Sequence, residues 1–145
     1  MRNNSKLVEI FEDMSSIYSM KKVQWKPQAY RIAAKSIEQL RVDVSQIYKK
    51  QGIKGLKKIS GVGEAIAKHI VEFLKTKKIK IYERMKKSLD HGILQIVRIP
   101  GMGPRKAKKL YDKLKIKTIE QLRKACKASK VRKLEGLERE LNKIF

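Results

Sequence analysis

One short segment occurs twice in the chain, as ISGVGEAIAKHI at residues 59–70 and as IPGMGPRKAKKL at residues 99–110. The two copies share an isoleucine, two glycines, an alanine and a lysine in the same register. Self-similarity at a fixed offset indicates a repeated supersecondary unit. Each copy has the pattern of a helix end, a tight turn at the glycines and the start of a second helix. The chain is therefore predicted to contain two helical hairpins.

The glycines of each copy, Gly61 and Gly63 in the first and Gly101 and Gly103 in the second, determine what the turn can do. The first of each pair permits positive φ, which lets the chain reverse between two helices. The second lets another backbone approach closely, and the helix after it begins with unpaired N–H groups and a partial positive charge that attract anions. In a basic chain this pattern predicts the helix-hairpin-helix motif, which holds DNA phosphates without contacting bases. An ordinary packing corner between two helices is the alternative.

The charge of the chain favours a nucleic-acid partner. Lysine and arginine number 37 against 14 acidic residues, for a net charge of +23, and repulsion at that level disfavours compaction unless a polyanion relieves it. No apolar run approaches the roughly 18 residues of a spanning helix, so no membrane partner is expected. The polar start of the chain and its lone Cys126 lead us to expect an intracellular protein without an internal disulfide or a cysteine-based zinc site.

Apolar residues recur at helical spacing along the chain, and no alternating strand pattern of useful length interrupts them. We therefore predict an all-α fold of two small helical subdomains, residues 1–90 and 91–145, each built on one hairpin, with the boundary at the loop of residues 90–92. In the first subdomain, helices are predicted at residues 5–19, 27–41, 56–59, 64–75 and 79–89, and a short helix begins after the cap Asp43 and ends at Gly52. In the second subdomain, one helix begins at Pro104, the next begins with the capping box of Thr118 and Gln121, and a last helix ends near residue 144.

A second set of segments surrounds the hairpins. The segment QAYRIAA at residues 28–34 is followed by the first hairpin, by residues 73–79, by the second hairpin and by residues 116–122. This order resembles that of the family X DNA polymerases, the relatives of DNA polymerase beta, and the similarity covers residues 5–145. It implies a lyase-like N-terminal domain followed by a DNA-binding subdomain. The implied function is sequence-nonspecific DNA binding in DNA repair, favouring gapped, nicked or 5′-phosphorylated DNA.

The palm that carries polymerase chemistry in that family has no counterpart in this sequence. Its Asp-x-Asp metal ligands are missing, because no two aspartates lie two residues apart, and a two-metal nucleotidyl-transfer site needs such carboxylates. We therefore expect no polymerase activity from this chain by itself. The resemblance implies that its partners are DNA, whether gapped, nicked or intact duplex, and a separate palm-bearing polymerase chain or other repair proteins.

In the family, a lysine of the first domain forms a Schiff base with the sugar of an abasic 5′ end. That lysine falls on His69 here, and an imidazole cannot form the required iminium. Lys68 is adjacent, but at about 100° per residue it lies roughly opposite the apolar face of its helix. Glu64 and Glu72 flank it at i−4 and i+4, which predicts a solvated ion-pair ladder. An abasic-site lyase that uses Lys68 is one alternative function, and an architectural nucleic-acid-binding protein that uses charge alone is another.

Other family positions carry residues that suit DNA ends. The resemblance assigns Lys26, Tyr30 and Lys57 to the pocket that holds the 5′ phosphate of a gap. Trp25 takes the position of a family histidine that stacks on a template base, and an indole is a good stacking platform. The alternatives are that Trp25 is a partly buried anchor between the first two helices and that Tyr30 is a plain core residue.

The resemblance also assigns roles at the hairpins. Glu64 is expected to weaken phosphate binding at the first hairpin, so the second should be the stronger contact to the DNA backbone. The segment LEGLE at residues 134–138 resembles a degenerate third hairpin. Besides the glycines, the DNA-binding residues predicted at the hairpins are Lys68, Arg105, Lys106 and Lys108. We expect no required cofactor. The resemblance implies that the hairpins can bind K+ or Na+ through the main-chain carbonyls of Lys57, Ile59 and Val62 and of Val97, Ile99 and Met102.

Overall fold

The structure is a computed structural model, and it describes residues 1–89 and 92–127. These residues form helices and turns and no strand, which confirms the predicted all-α fold. None of the helices is long and apolar enough to cross a membrane. They are α1 (Arg2–Met20), α2 (Lys26–Glu38), α3 (Val44–Lys57), α4 (Glu64–Thr76), α5 (Lys80–Lys87), α6 (Ile93–Val97), α7 (Gly103–Leu114) and α8 (Ile119–Lys127).

The helices group into two compact units, one spanning residues 1–88 and the other beginning at Leu89. The first unit contains α1 to α5, with the first hairpin between α3 and α4. The second unit contains α6 to α8, with the second hairpin between α6 and α7. The predicted boundary loop lies partly outside the described residues, at Asp90 and His91, and the predicted third hairpin and last helix lie outside them as well. The subdomain limits stay predictions.

Helix α1 is central to the first unit, because it packs extensively on α2 and also contacts α3, α4 and α5. Two buried polar contacts fix it in place. The Ser15 hydroxyl donates to the carbonyl of Pro27 at 2.7 Å, and the Tyr82 hydroxyl donates to the Asp13 carboxylate at 2.6 Å. The start of α2 is therefore held firmly on α1. The largest fully buried side chains of this unit are Leu7, Phe11, Met14, Ile17, Ile37, Leu56, Ile70 and Ile79.

Helix α2 ends at Glu38, so the prediction of a helix through about Arg41 is wrong. The physical reason is Asn4, a buried polar residue of α1. Its Nδ2 donates to the Val42 carbonyl at 2.9 Å, and its Oδ1 accepts from the Val44 N–H at 2.8 Å. These hydrogen bonds satisfy backbone groups that would otherwise need helical partners, and they hold the connection to α3 in a non-helical conformation.

Asp43 caps α3, as predicted. Its Oδ1 accepts from the Ser45 N–H at 2.9 Å and from Asn3 Nδ2 at 3.0 Å. Burial alone would raise the pKa of the Asp43 carboxyl, but these hydrogen bonds outweigh it and lower the pKa. The first turn of α3 is thereby joined to the first turn of α1.

The predicted break in α3 is confirmed at Gly52, which has φ 66° and ψ −158°. Helical structure resumes beyond it and ends at Lys57, so the short helix predicted for residues 56–59 is displaced toward the N-terminus. In the second unit the capping box is also present. The Thr118 hydroxyl accepts from the Gln121 N–H at 3.1 Å, while Gln121 Oε1 accepts from the Lys117 N–H at 2.8 Å, one residue before the usual partner.

Candidate nucleic-acid interface

The two hairpins contain the same turn. The Val62 N–H donates to the Ile59 carbonyl at 3.0 Å, and the Met102 N–H donates to the Ile99 carbonyl at 2.9 Å. The third residue of each turn is a glycine with positive φ, 79° in the first hairpin and 85° in the second. An i to i+3 hydrogen bond with such a glycine is the signature of a type II turn. The predicted chain reversal at the first glycine of each pair is therefore confirmed.

The second glycines differ between the hairpins. Gly63 has φ −87° and ψ −170° and precedes α4 as its N-cap, whereas Gly103 has φ 72°. A Cβ built at either position meets no other atom of the described structure within 4 Å. The close approach predicted for this glycine is thus not made by the chain's own backbone. The turn of the first hairpin is packed differently at Gly61, where a Cβ would meet Ile32 Cγ2 of α2 at 2.5 Å.

The charges around the first hairpin are paired. The Glu64 carboxylate begins α4 and lies 3.7 Å from Lys57 Nζ and 4.0 Å from Lys68 Nζ. Glu64 thus stands at the helix N-terminus, where it suits the helix dipole. Lys57 and Lys68 are brought together around this carboxylate at the mouth of the turn.

The second hairpin is bordered by cations instead. Arg105 is exposed in the first turn of α7, and Lys106 Nζ donates to the Gly101 carbonyl at 2.9 Å. Lys108 pairs with Asp112 one turn further along, at 3.2 Å. The start of the second helix therefore carries a carboxylate at the first hairpin and cations at the second, in the sense that the sequence predicted.

Trp25 is held on a strained turn just before α2. Its φ is 70° and its ψ is −36°, and the Lys26 N–H donates to the Gln24 carbonyl across it at 2.8 Å. This is a γ-turn with positive φ at its central residue, a conformation that is rare because it is strained. Trp25 is 81% exposed, so the alternative that it is a partly buried anchor between the first two helices is wrong. The strained turn presents the largest apolar side chain of the loop to solvent.

Lys26, the residue after Trp25, contacts a group of ring side chains. We call Tyr18, Lys26, Tyr30 and His69 together the aromatic cluster. Lys26 Nζ lies 5.0 Å from the centre of the Tyr18 ring, within cation–π range. The Tyr18 and Tyr30 ring centres are 5.5 Å apart, and those of Tyr30 and His69 are 6.2 Å apart. Tyr30 is only 6% exposed. Burial, reinforced by Tyr18, raises the pKa of the Tyr30 hydroxyl above its usual range, so it stays protonated.

His69 lies at the border of the core, with 20% of its side chain exposed. Burial lowers the pKa of its imidazole, and the nearby Lys26 ammonium lowers it further, while the Glu72 carboxylate at 3.9 Å acts in the opposite direction. The net shift is downward, so the neutral imidazole is favoured near neutral pH. The structure thus brings Lys26, Tyr30 and His69 together, whereas Lys57 pairs with Glu64 at the hairpin. The 5′-phosphate pocket of Lys26, Tyr30 and Lys57 stays a prediction.

The environment of Lys68 differs from the prediction in one respect. Its side chain is 68% exposed and pairs with Glu64, but Glu72 does not complete the ladder. The Glu72 carboxylate instead faces His69 and accepts a hydrogen bond from the Lys80 N–H at 2.8 Å. This N–H is available because Lys80 is the first residue of α5, where backbone donors have no partner within the helix. Sequence reasoning missed this role of Glu72, although its i+3 spacing from His69 was a usable signal. It also placed Tyr18 only on the apolar stripe of α1 and missed its contact with Lys26.

The carbonyls expected to bind a monovalent ion can be compared at the two turns. The Ile59 and Ile99 carbonyls each accept one turn hydrogen bond, which leaves one lone pair each for a cation. At the first turn the Glu64 carboxylate adds negative charge, which suits a cation. At the second turn the Lys106 ammonium already contacts a turn carbonyl, and this positive charge disfavours a bound cation.

Comparison with known proteins agrees with this geometry. The family model described as "Helix-hairpin-helix domain" matches residues 2–79, and the model described as "SAM-like Helix-hairpin-helix tandem" matches residues 93–141. The chain is 30% identical over 112 residues to the DNA polymerase/3'-5' exonuclease PolX of Bacillus subtilis (strain 168). That match covers 77% of this chain and 19% of the relative, so the chain spans about a fifth of the relative's length. The chain belongs to the helix-hairpin-helix domain family, and most of it is similar to part of the PolX relative.

Proposed function

We propose that this protein binds DNA without reading its sequence and that it prefers gapped, nicked or 5′-phosphorylated DNA. The observation that carries DNA binding is the pair of matching turns, each followed by a helix whose first N–H groups can donate hydrogen bonds to a phosphate. The open space at Gly63 and Gly103, where an added Cβ would meet nothing within 4 Å, supports close approach by a phosphate backbone. Contacts of this kind involve the phosphates and carry no base information.

The preference for DNA ends is supported by Trp25 and the aromatic cluster. A terminal phosphate adds little to the charge of a duplex that is already a polyanion, so charge alone does not distinguish an end. An exposed indole does, because it can stack only on a base that has lost its neighbour, and such stacking contributes roughly 1–3 kcal/mol. Lys26 follows Trp25 directly, and its ammonium lies over Tyr18, in reach of a phosphate next to the stacked base.

Two further parts of the proposal concern ligands and partners. A K+ or Na+ ion at the first hairpin would be held by the carbonyls of Lys57, Ile59 and Val62 and would supply positive charge for a phosphate oxygen. The relative is named a DNA polymerase, and this supports a palm-bearing polymerase as the partner that acts on DNA held by this chain.

The experiment that tests the proposal compares affinities for matched DNA duplexes at one salt concentration. We expect a single-nucleotide gap with a 5′ phosphate to bind more tightly than the same gap with a 5′ hydroxyl, a nick or an intact duplex, and RNA duplex to bind weakly. Trp25→Ala should lose about 1–3 kcal/mol on the gap and almost nothing on intact duplex.

Val42→Ala is the matched control, because Val42 is also an exposed apolar loop residue but lies at the other end of α2. It should leave every affinity unchanged. Equal binding of all duplexes, unaffected by Trp25→Ala, would remove end recognition and favour an architectural protein that uses charge alone.

A further inference from the structure

The second hairpin carries a contact that the first lacks. Lys106 is in the first turns of α7, and its Nζ donates to the Gly101 carbonyl at 2.9 Å. Helical side chains lean toward the N-terminus of their helix, so a lysine at this position covers the turn that precedes α7. Its ammonium is thereby fixed at the hairpin and does not extend freely into solvent.

The repeat supplies a direct comparison for this position. Gly101 corresponds to Gly61, and Lys106 corresponds to Ile66, which is buried and apolar. The residue after the second glycine is Glu64 in the first hairpin and Pro104 in the second. Among the described residues, Glu64 at the first turn pairs with Lys57 and Lys68, whereas Lys106 at the second turn is hydrogen-bonded to a turn carbonyl.

These differences have opposite consequences for a monovalent cation. At the first turn Glu64 attracts a metal ion and keeps Lys57 and Lys68 paired to it, so a bridging ion favours the approach of a phosphate oxygen. At the second turn a fixed ammonium repels a metal ion. It also stands at a helix N-terminus, where a positive charge is unfavourable unless an anion is bound.

We propose that Lys106 is a built-in cation of the second hairpin, so that this hairpin binds a DNA phosphate without a metal ion while the first hairpin requires K+ or Na+. The inference rests on the proposed DNA binding and deepens it. It assigns to Lys106 a contact to phosphate that depends on its position at the Gly101 carbonyl and not only on its charge.

The test compares duplex affinity in KCl and in choline chloride at equal ionic strength, because choline is too large for a carbonyl site. Gly63→Val removes the contribution of the first hairpin, and the extended backbone at Gly63 accepts valine. In this background we expect equal affinity in both salts. Adding Lys106→Met should weaken binding in choline chloride by roughly tenfold, as for one charge-assisted contact, and KCl should restore most of the loss.

Lys113→Met in the same background is the control, because Lys113 is an exposed lysine in the last turn of α7. It removes the same charge and should lower affinity equally in the two salts. A second measurement uses Tl+, a K+ substitute observable by NMR, with DNA-bound protein. Tl+ should bind the Gly63→Val variant only after Lys106→Met is added.

Three outcomes would overturn the inference. One is a loss of affinity in choline chloride by the Gly63→Val variant alone, since the second hairpin would then use a metal ion. Another is equal affinity in both salts after Lys106→Met is added. The third is a wild-type protein that does not bind duplex DNA in either salt, which is distinguishable from the first two and overturns the proposed function as well.

Discussion

At the scale of single residues, the strongest departure from ordinary backbone preference is Trp25. A bulky residue rarely adopts positive φ, and holding one there costs on the order of 1–3 kcal/mol unless the surroundings fix it. The surroundings do so here, because the Val23 N–H donates to the Tyr18 carbonyl at 3.0 Å and the Ala29 N–H donates to the Trp25 carbonyl at 3.1 Å. The chain thus maintains strain at the most exposed large apolar residue of the part that the structure describes.

His69 offers a second test at this scale. We predict that His69→Lys allows covalent trapping of the protein on an abasic 5′ end by borohydride, because a lysine there could form a Schiff base. Burial and the nearby Lys26 charge would lower the pKa of the new amine, which raises its neutral, nucleophilic fraction. Trapping should therefore increase as pH rises through that pKa, and the measurement is the yield of covalent complex against pH.

Lys68→Ala is the control for this prediction. Lys68 is next to His69 in the sequence, and its side chain is 68% exposed and paired with Glu64, so its removal should not change trapping by the His69→Lys variant. Efficient trapping by the wild type that disappears in Lys68→Ala would contradict the assignment of Lys68 to solvent and would support the lyase alternative.

At the scale of elements, the parts that sequence could predict are those governed by local rules. The hairpins were predictable because a glycine that must adopt positive φ leaves a visible pattern, and the caps at Asp43 and Thr118 were predictable because they bond within three residues. The end of α2 was not, because it depends on Asn4, which is distant in sequence. The Lys106 contact with Gly101 was also hidden, since residue spacing does not specify how a long side chain folds back.

The two kinds of glycine in the fold give a prediction at the element scale. Gly63→Val should leave the free energy of unfolding within about 0.5 kcal/mol of wild type, because φ −87° suits valine and a Cβ there meets nothing. Duplex affinity should nevertheless fall, since the side chain would occupy the space for a phosphate backbone. Denaturant unfolding and DNA titration of the same preparation measure both quantities.

Gly52→Val is the matched control. Gly52 also has open space around its Cβ position, but its φ is 66°, so valine should cost about 1–2 kcal/mol or more of stability. Its position within α3, away from the turn, predicts that the folded variant binds duplex as well as wild type does. If Gly63→Val instead lowers stability and leaves affinity intact, that glycine serves the fold and not the DNA.

At the scale of the whole molecule, the net charge of +23 opposes folding and favours binding, and salt acts on the two in opposite directions. Added salt screens repulsion among the protein's own charges, so the Tm of the free protein should rise between low salt and about 0.5 M NaCl. With saturating duplex the effect of salt should reverse, so that the Tm of the complex falls as salt is added. Bound DNA stabilises the fold by mass action, and its affinity falls with log salt at a slope of about 0.9 per phosphate neutralised.

The measurement follows thermal unfolding with and without duplex by far-UV circular dichroism and by fluorescence. Trp25 is the single tryptophan of the chain, so fluorescence reports on the first unit alone. A free-protein Tm that falls with salt would mean that ion pairs such as those around Glu64 outweigh the net repulsion. A complex whose Tm rises with salt would mean that binding does not depend on phosphate neutralisation. Opposite signs in the two experiments would tie the excess of basic residues to DNA, because the same charges then destabilise the free chain and stabilise the complex.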